Sequence, residues 1–169
     1  MKSALAVFAA LMCCATPAIA ADPVPDLDFF EVALCGKGVP LDPDVFGDAL
    51  RNAFEKLGEP DNLQDVQVYH LPQPISRDGY TTQSVGVIAA PNLAIIGVLF
   101  DGKIEGELAK HYDLSPSSDL PNAYFRQIPW SQKFQGESGA NALLALSDEI
   151  MPGANKTFLG CAYGVDNVK

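Results

Sequence analysis

Two histidines, His70 and His111, are the only imidazoles in this chain, and they bound its acid–base chemistry. Imidazole is the side chain whose ordinary titration falls near neutrality. A hydrolase or isomerase built on this sequence would pair one of them with a carboxylate. They lie on different elements, so spacing alone does not make them ligands of one ion. Only the fold could bring them together, with Asp113 or Glu107 as a third ligand. His70 alternates with Val66 and Val68 along a strand, which suits a half-buried ring with one hydrogen bond. His111 stands beside Tyr112 near the C-terminal end of a helix, where the dipole favours a positive imidazolium. No residue is assigned a catalytic role, His70 and His111 remain the candidates for one, and neither a metal nor a cofactor is expected.

Two other patterns imitate reactive motifs. Gly136-Glu137-Ser138-Gly139-Ala140 is near the turn that exposes a nucleophilic serine, but that turn needs a strand before it and a histidine after it. Both histidines precede Ser138, which fits better as a helix cap. Asp42, Asp44, Gly47 and Asp48 imitate the start of a calcium loop, yet Phe46 and Ala53 fall where ligands belong and Pro43 suits a helix start. These carboxylates suit a cap and a helix dipole. No phosphate-cradling loop, dinucleotide fingerprint, Cys-x-x-Cys pair or zinc-protease helix occurs.

Binding is the stronger theme. Arg77 falls in a loop, and Arg126 stands between Tyr124-Phe125 and Trp130. An arginine flanked by aromatics holds carboxylates or phosphates well. Arg126, Arg77, Tyr124 and Trp130 are therefore the expected ligand-binding residues. Acidic residues number 21 against 11 basic ones, a formal net charge of −10. Such a surface repels nucleic-acid phosphates and anionic membranes, so no nucleic acid is expected as a partner. The acidic residues are scattered and form no tail.

The first twenty residues have the order of a secretory signal. Lys2 supplies the positive charge, an apolar run follows from Ala4 to Ala15, and Ala18-Ile19-Ala20 presents small residues at a cleavage site. The run is too short to span a bilayer, which takes about 20 apolar residues. Cleavage after Ala20 makes residues 21–169 one domain in the periplasm or outside the cell. Cys13 and Cys14 leave with the signal, because Leu11-Met12 suits lipidation poorly. Cys35 and Cys161 then remain as an even pair in an oxidising place and are expected to form a disulfide. Asn155-Lys156-Thr157 is a glycosylation sequon only in a eukaryotic host, and the alanine-rich signal has a bacterial character.

The elements that must position these residues follow from periodicity. Phe29 to Leu34 alternates as a strand, ended by Gly36-Lys37-Gly38. Asp42 and Pro43 open a helix carrying Val45, Phe46, Ala49, Leu50, Ala53, Phe54 and Leu57 on one stripe, closed by Gly58 and Pro60. Asp65 to Leu71 is a strand, and the prolines and Arg77-Asp78-Gly79 form a loop. Tyr80 to Ala89 and Leu93 to Phe100 make a hairpin, and the second is apolar on both faces and so central. A second helix after Asp101-Gly102 carries Ile104, Leu108, His111 and Tyr112. Ser115 to Pro121 is a loop, Ala123 to Ile128 a short strand, Ser138 to Ile150 a helix, and Thr157 to Val165 a last strand. The disulfide would bring the first and last strands together as sheet neighbours. The sum is a two-layer α+β domain, a mostly antiparallel sheet of about five strands with two or three helices on one face.

The function these readings favour is a small exported binding or accessory protein without catalysis. Its partner is an unknown small ligand or an envelope protein. A hydrolase or isomerase using a histidine is the alternative. A structural envelope protein that docks through Tyr124, Phe125 and Trp130 is the third reading. Mass analysis of protein recovered from the periplasm or medium is expected to give a chain beginning at Ala21. An intact Met1 on a cytosolic protein would contradict export.

Overall fold

The computed structural model describes residues 27–36, 38–39, 43–90, 93–128, 138–147 and 153–165. In chain order the elements are α1 (Phe29–Ala33), α2 (Pro43–Leu57), β1 (Asp61–Leu63), β2 (Val66–Arg77), β3 (Tyr80–Ala90), β4 (Leu93–Asp101), α3 (Glu105–His111), β5 (Ser115–Pro116), β6 (Ala123–Gln127), β7 (Ser138–Ser147) and β8 (Lys156–Val165). All eight strands join one antiparallel sheet in the order β1-β2-β3-β4-β8-β7-β6-β5. The sheet curls into a half-barrel and carries three helices among the described residues. The expected two-layer arrangement on a sheet of about five strands is therefore wrong, although the α+β class stands. β4 lies centrally, as its two-faced apolar pattern predicts.

The first correction is Phe29–Ala33, a helix and not a strand. Phe29, Phe30, Val32 and Ala33 are all buried, whereas an alternating strand would have turned Phe29 and Ala33 away from the core. Asp28 starts the helix by accepting the Glu31 N–H at 3.0 Å, a standard N-cap. Its end is a Schellman motif: the Gly36 N–H donates to the Glu31 carbonyl at 2.8 Å and the Cys35 N–H to the Val32 carbonyl at 3.2 Å. Cys35 occupies the left-handed position at φ +53°, where glycine is the usual occupant. Its sulfur is bonded to Cys161 with the α carbons 5.2 Å apart. The expected bridge is present, but it joins the end of α1 to β8. Phe29–Ala33 is not a strand and does not pair with the last one, and β8 lies between β4 and β7.

The second correction is β7. Ala142, Leu143 and Leu146 fit helical spacing, yet Ser138–Ser147 is a strand, and Ser138 caps no helix. Ala145 packs in the main core while Leu144 and Leu146 face the second apolar cluster. A strand buried on both faces loses the alternation that identifies it. The third is β2, which runs through Pro72 and Pro74. Three extra residues bulge out between His70, opposite Ser84, and Ile75, opposite Thr82. Gln83 closes the gap by donating to the Leu71 carbonyl at 2.9 Å. Beyond Val68 the outer edge of β2 has no strand partner among the described residues, and prolines are tolerated in an edge strand. Ser115–Pro116, expected as loop, adds a two-residue strand against Tyr124 and Phe125.

α2 forms as predicted. Phe46 and Ala53 are buried, Leu50, Phe54 and Leu57 pack partly on the core, and Val45 is exposed. Phe54 stacks on Tyr69 of β2 at 4.5 Å and on Phe29 of α1 at 5.6 Å. The Pro91-Asn92 turn lies outside the described residues, but Ala90 faces Leu93 across it.

On the sheet's second face three glycines stand in one row, Gly86 opposite Gly97 and Gly97 opposite Gly160. The fully buried Phe158 ring lies across this row. A Cβ on Gly86 would sit 2.9 Å from Phe158 Cε2, and one on Gly97 2.6 Å from Phe158 Cζ and closer still to the Leu159 carbonyl. The row works as a floor because it has no side chains. Gly97→Ala must move backbone as well as ring and is expected to cost about 1–3 kcal/mol, the range for overpacking a core. Reversible thermal melts of the disulfide-bonded protein test this; an unchanged melting temperature would mean the row is not close-packed.

Candidate functional site

The site is built around the C-terminal end of α3. The β2–β3 hairpin turns on Asp78-Gly79, at φ +53° and +87°, with Arg77 directly opposite Tyr80. Two residues with positive φ are what a tight two-residue hairpin requires. This turn delivers Arg77 to one neighbour and Tyr80 to another. Arg77 reaches α1, donating from Nη1 to Glu31 Oε2 at 2.8 Å and from Nη2 to Asp28 Oδ2 at 2.6 Å. Glu31 also accepts the Gly38 N–H at 3.0 Å. The Arg77 hydrogen bond, then the Gly38 N–H, hold the Glu31 carboxyl below its ordinary value.

Tyr80 meets α3. Its ring packs on Phe100 at 5.9 Å, on His111 at 5.3 Å and on Tyr112 at 6.3 Å, and its hydroxyl donates to Glu107 at 3.2 Å. Burial first, then the Glu107 hydrogen bond and charge, raise the Tyr80 hydroxyl. His111 stands edge-on to Tyr112 at 4.6 Å. The Tyr112 hydroxyl donates to Asp78 Oδ2 at 3.3 Å; burial first, then the Asp78 charge, push it up to about 12. His111 Nε2 lies 4.0 Å from the same carboxylate oxygen.

α3 itself is fixed from β8. Buried Thr157 accepts the Ile104 N–H at 2.9 Å and donates to the Gly102 carbonyl at 2.8 Å, which starts the helix without a side-chain cap at Ile104. At the other end Arg126 Nη1 donates to the Tyr112 carbonyl at 2.8 Å, satisfying a terminal carbonyl as basic residues do at helix ends. Tyr124, half-buried on β6, places its hydroxyl beside Gly106 of α3.

Of the four residues expected to bind a ligand, Arg126 and Tyr124 meet α3, which carries His111, while Arg77 turns away to Asp28 and Glu31 of α1. Trp130 lies outside the described residues. Tyr80 and Tyr112 read from sequence as core or core-edge residues rather than a binding platform, and Asp78 was not singled out. The Asp78-Gly79 dipeptide was the available signal, since it marks a tight hairpin and so predicts that Arg77 and Tyr80 meet.

His70 lies elsewhere, on the β1–β3 edge. Its Nε2 is 2.9 Å from Asp61 Oδ2 and its Nδ1 is 3.4 Å from Ser84 Oγ. An Asp–His–Ser chain has the composition of a hydrolytic triad. Here, however, the His70 and Asp61 side chains are 64% and 78% exposed, and the Ser84 N–H is donated to Thr82 Oγ1 at 3.1 Å. That N–H is unavailable to an oxyanion, and the chain ties the three-residue β1 to its neighbours. Among the described residues no group of three or more His, Cys, Asp or Glu could hold a metal ion, and no helix is long and apolar enough to cross a membrane.

Comparison with protein-family models, curated proteins and solved structures finds no match to this chain.

The Arg77–Glu31 pair predicts an acid-sensitive link between α1 and the hairpin. Glu31 has a depressed folded pKa, so its contribution is present above the ordinary carboxyl value of 4.5 and is lost as pH falls through the lowered value. Glu31→Gln is expected to cost about 1 kcal/mol at pH 7, the scale of a partly exposed ion pair, and to flatten the fall in stability below pH 4.5. Chemical denaturation from pH 2 to 7 measures both; parallel profiles would remove the pair from the account.

Proposed function

We propose that this chain is an exported, disulfide-locked binding protein that acts without catalysis in the periplasm or outside the cell. It engages a protein partner of the envelope at the C-terminal end of α3. One observation carries the reading. Tyr80, His111 and Tyr112 pack ring on ring where a hairpin meets the end of α3, and Arg126 from β6 is tied to the Tyr112 carbonyl, so the four form one patch held in place in advance. Tyrosine and arginine are the residues that anchor protein interfaces, and side chains fixed in advance lose little entropy on binding. The charges of the patch are mixed, His111 and Arg126 standing beside Asp78 and Glu107. The disulfide supports export, because such bonds persist in oxidising compartments.

Chemical crosslinking in the intact envelope fraction tests the reading. Wild-type protein and an Arg51→Glu control on the exposed side of α2 are expected to give the same higher-mass adduct. Arg126→Glu and His111→Ala, each confirmed folded by its melt, are expected to lose most of it. Equal adducts from all four proteins would reject the α3 end as the interface.

A further inference from the structure

A second site, independent of the α3 surface, lies where α1 meets α2. A cavity of about 330 Å³ opens there, lined by Leu27, Val32, Val39 and Ala49 and by the carboxylates of Asp28 and Glu31. Its volume falls at the lower end of the range for small-ligand sites. We propose that this cavity binds a small organic cation, an aliphatic ammonium whose chain lies on the apolar wall and whose charge meets the two carboxylates.

The carboxylates are in place before any ligand arrives. Asp28 Oδ1 accepts the Glu31 N–H and Oδ2 accepts Arg77; Glu31 Oε1 accepts the Gly38 N–H and Oε2 accepts Arg77. Each oxygen therefore has one donor, and an ionised carboxylate offers about four acceptor positions, so a second donor can be taken by each group. Among the described residues two carboxylates face one guanidinium there, an excess of one negative charge. The chain's overall negative charge adds to it. A cation is drawn in, an anion is repelled, and a neutral molecule of the same shape leaves the charge unanswered. Groups held rigidly by neighbouring hydrogen bonds give the charge-assisted contact at little ordering cost.

The probes are n-hexylammonium, 1-hexanol and hexanoate, titrated into the isotope-labelled, disulfide-bonded protein while amide resonances are followed. Hexylammonium is expected to shift the Gly38 and Val39 amides saturably. Hexanol should bind about tenfold or more weakly, a difference of about 1.4 kcal/mol per decade, and hexanoate should not bind. Asp28→Asn keeps a capping side chain at the start of α1 while removing one charge, and is expected to weaken hexylammonium severalfold. Ala49→Phe fills the cavity from α2 and is expected to abolish the shifts; it keeps the test open if Asp28→Asn unfolds. Equal affinity for hexylammonium and hexanol, or hexylammonium binding unchanged in both folded variants, would overturn the proposal, as would shifts that never saturate.

Discussion

α1 is five residues long, far below the length at which a helix holds itself in water. It exists because the sheet holds it. Cys35 is bonded to Cys161 in β8, the Tyr163 hydroxyl donates to the Val32 carbonyl at 2.7 Å, and Arg77 grips Asp28 and Glu31. Burial, then the nearby Glu31 charge, raise the Tyr163 hydroxyl, so it remains a donor. These ties press Phe30 against Phe100 and complete the main core. The α1–α2 cavity and the Arg77 geometry both follow from this anchorage. In the chain-entropy model a bridge across this separation contributes about 5 kcal/mol, with typical values nearer 2–4. Part of that offsets the left-handed backbone at Cys35, of order 1–2 kcal/mol for a non-glycine residue.

The sheet's two faces are built by opposite means. One is filled by helices, with Phe29, Phe46, Leu108 and Tyr163 in a single cluster. The other has almost no covering element among the described residues and removes its own side chains instead, so that Phe158 lies flat on Gly86, Gly97 and Gly160. Val66, Val68, Leu99 and Leu146 close around the ring. The central strands are thereby dry on both sides, which makes them a rigid base for the loops and short helices around them.

What could be read in the sequence divides along physical lines. α2 was legible because a cap, a stripe and a glycine stop agree; β3, β4 and β8 were legible from length and β-branched content. Phe29–Ala33 was misread because five apolar residues fit either period, and the deciding facts, the Asp28 cap and the Arg77 grip, depend on residues up to 49 positions away. β7 was misread because sheet neighbours on both sides bury both of its faces, and tertiary context overrides spacing. Prolines at 72 and 74 were taken as a break where an edge strand bulges. Arg126, Tyr124 and His111 at the α3 end were nominated one at a time from their types. That they share a place was not visible, since it is set by a hairpin turn and by the β6–β7–β8 pairing order.

Cys35 and Cys161 stand 126 positions apart, and every strand except the last residues of β8 lies between them. Mechanically residues 35–161 form a closed ring. A pull from either side runs through α1 and the Ala162–Val165 end of β8, loads only the pairs that end makes with β4 and β7, and meets at the sulfur–sulfur bond. On the order of 400 Å of contour, at 3.3–3.6 Å per residue, is shielded from tension while the bond is intact. Tethered at both ends, the oxidised molecule would behave as a bead on a short leash; once reduced, the same force would peel the sheet strand by strand.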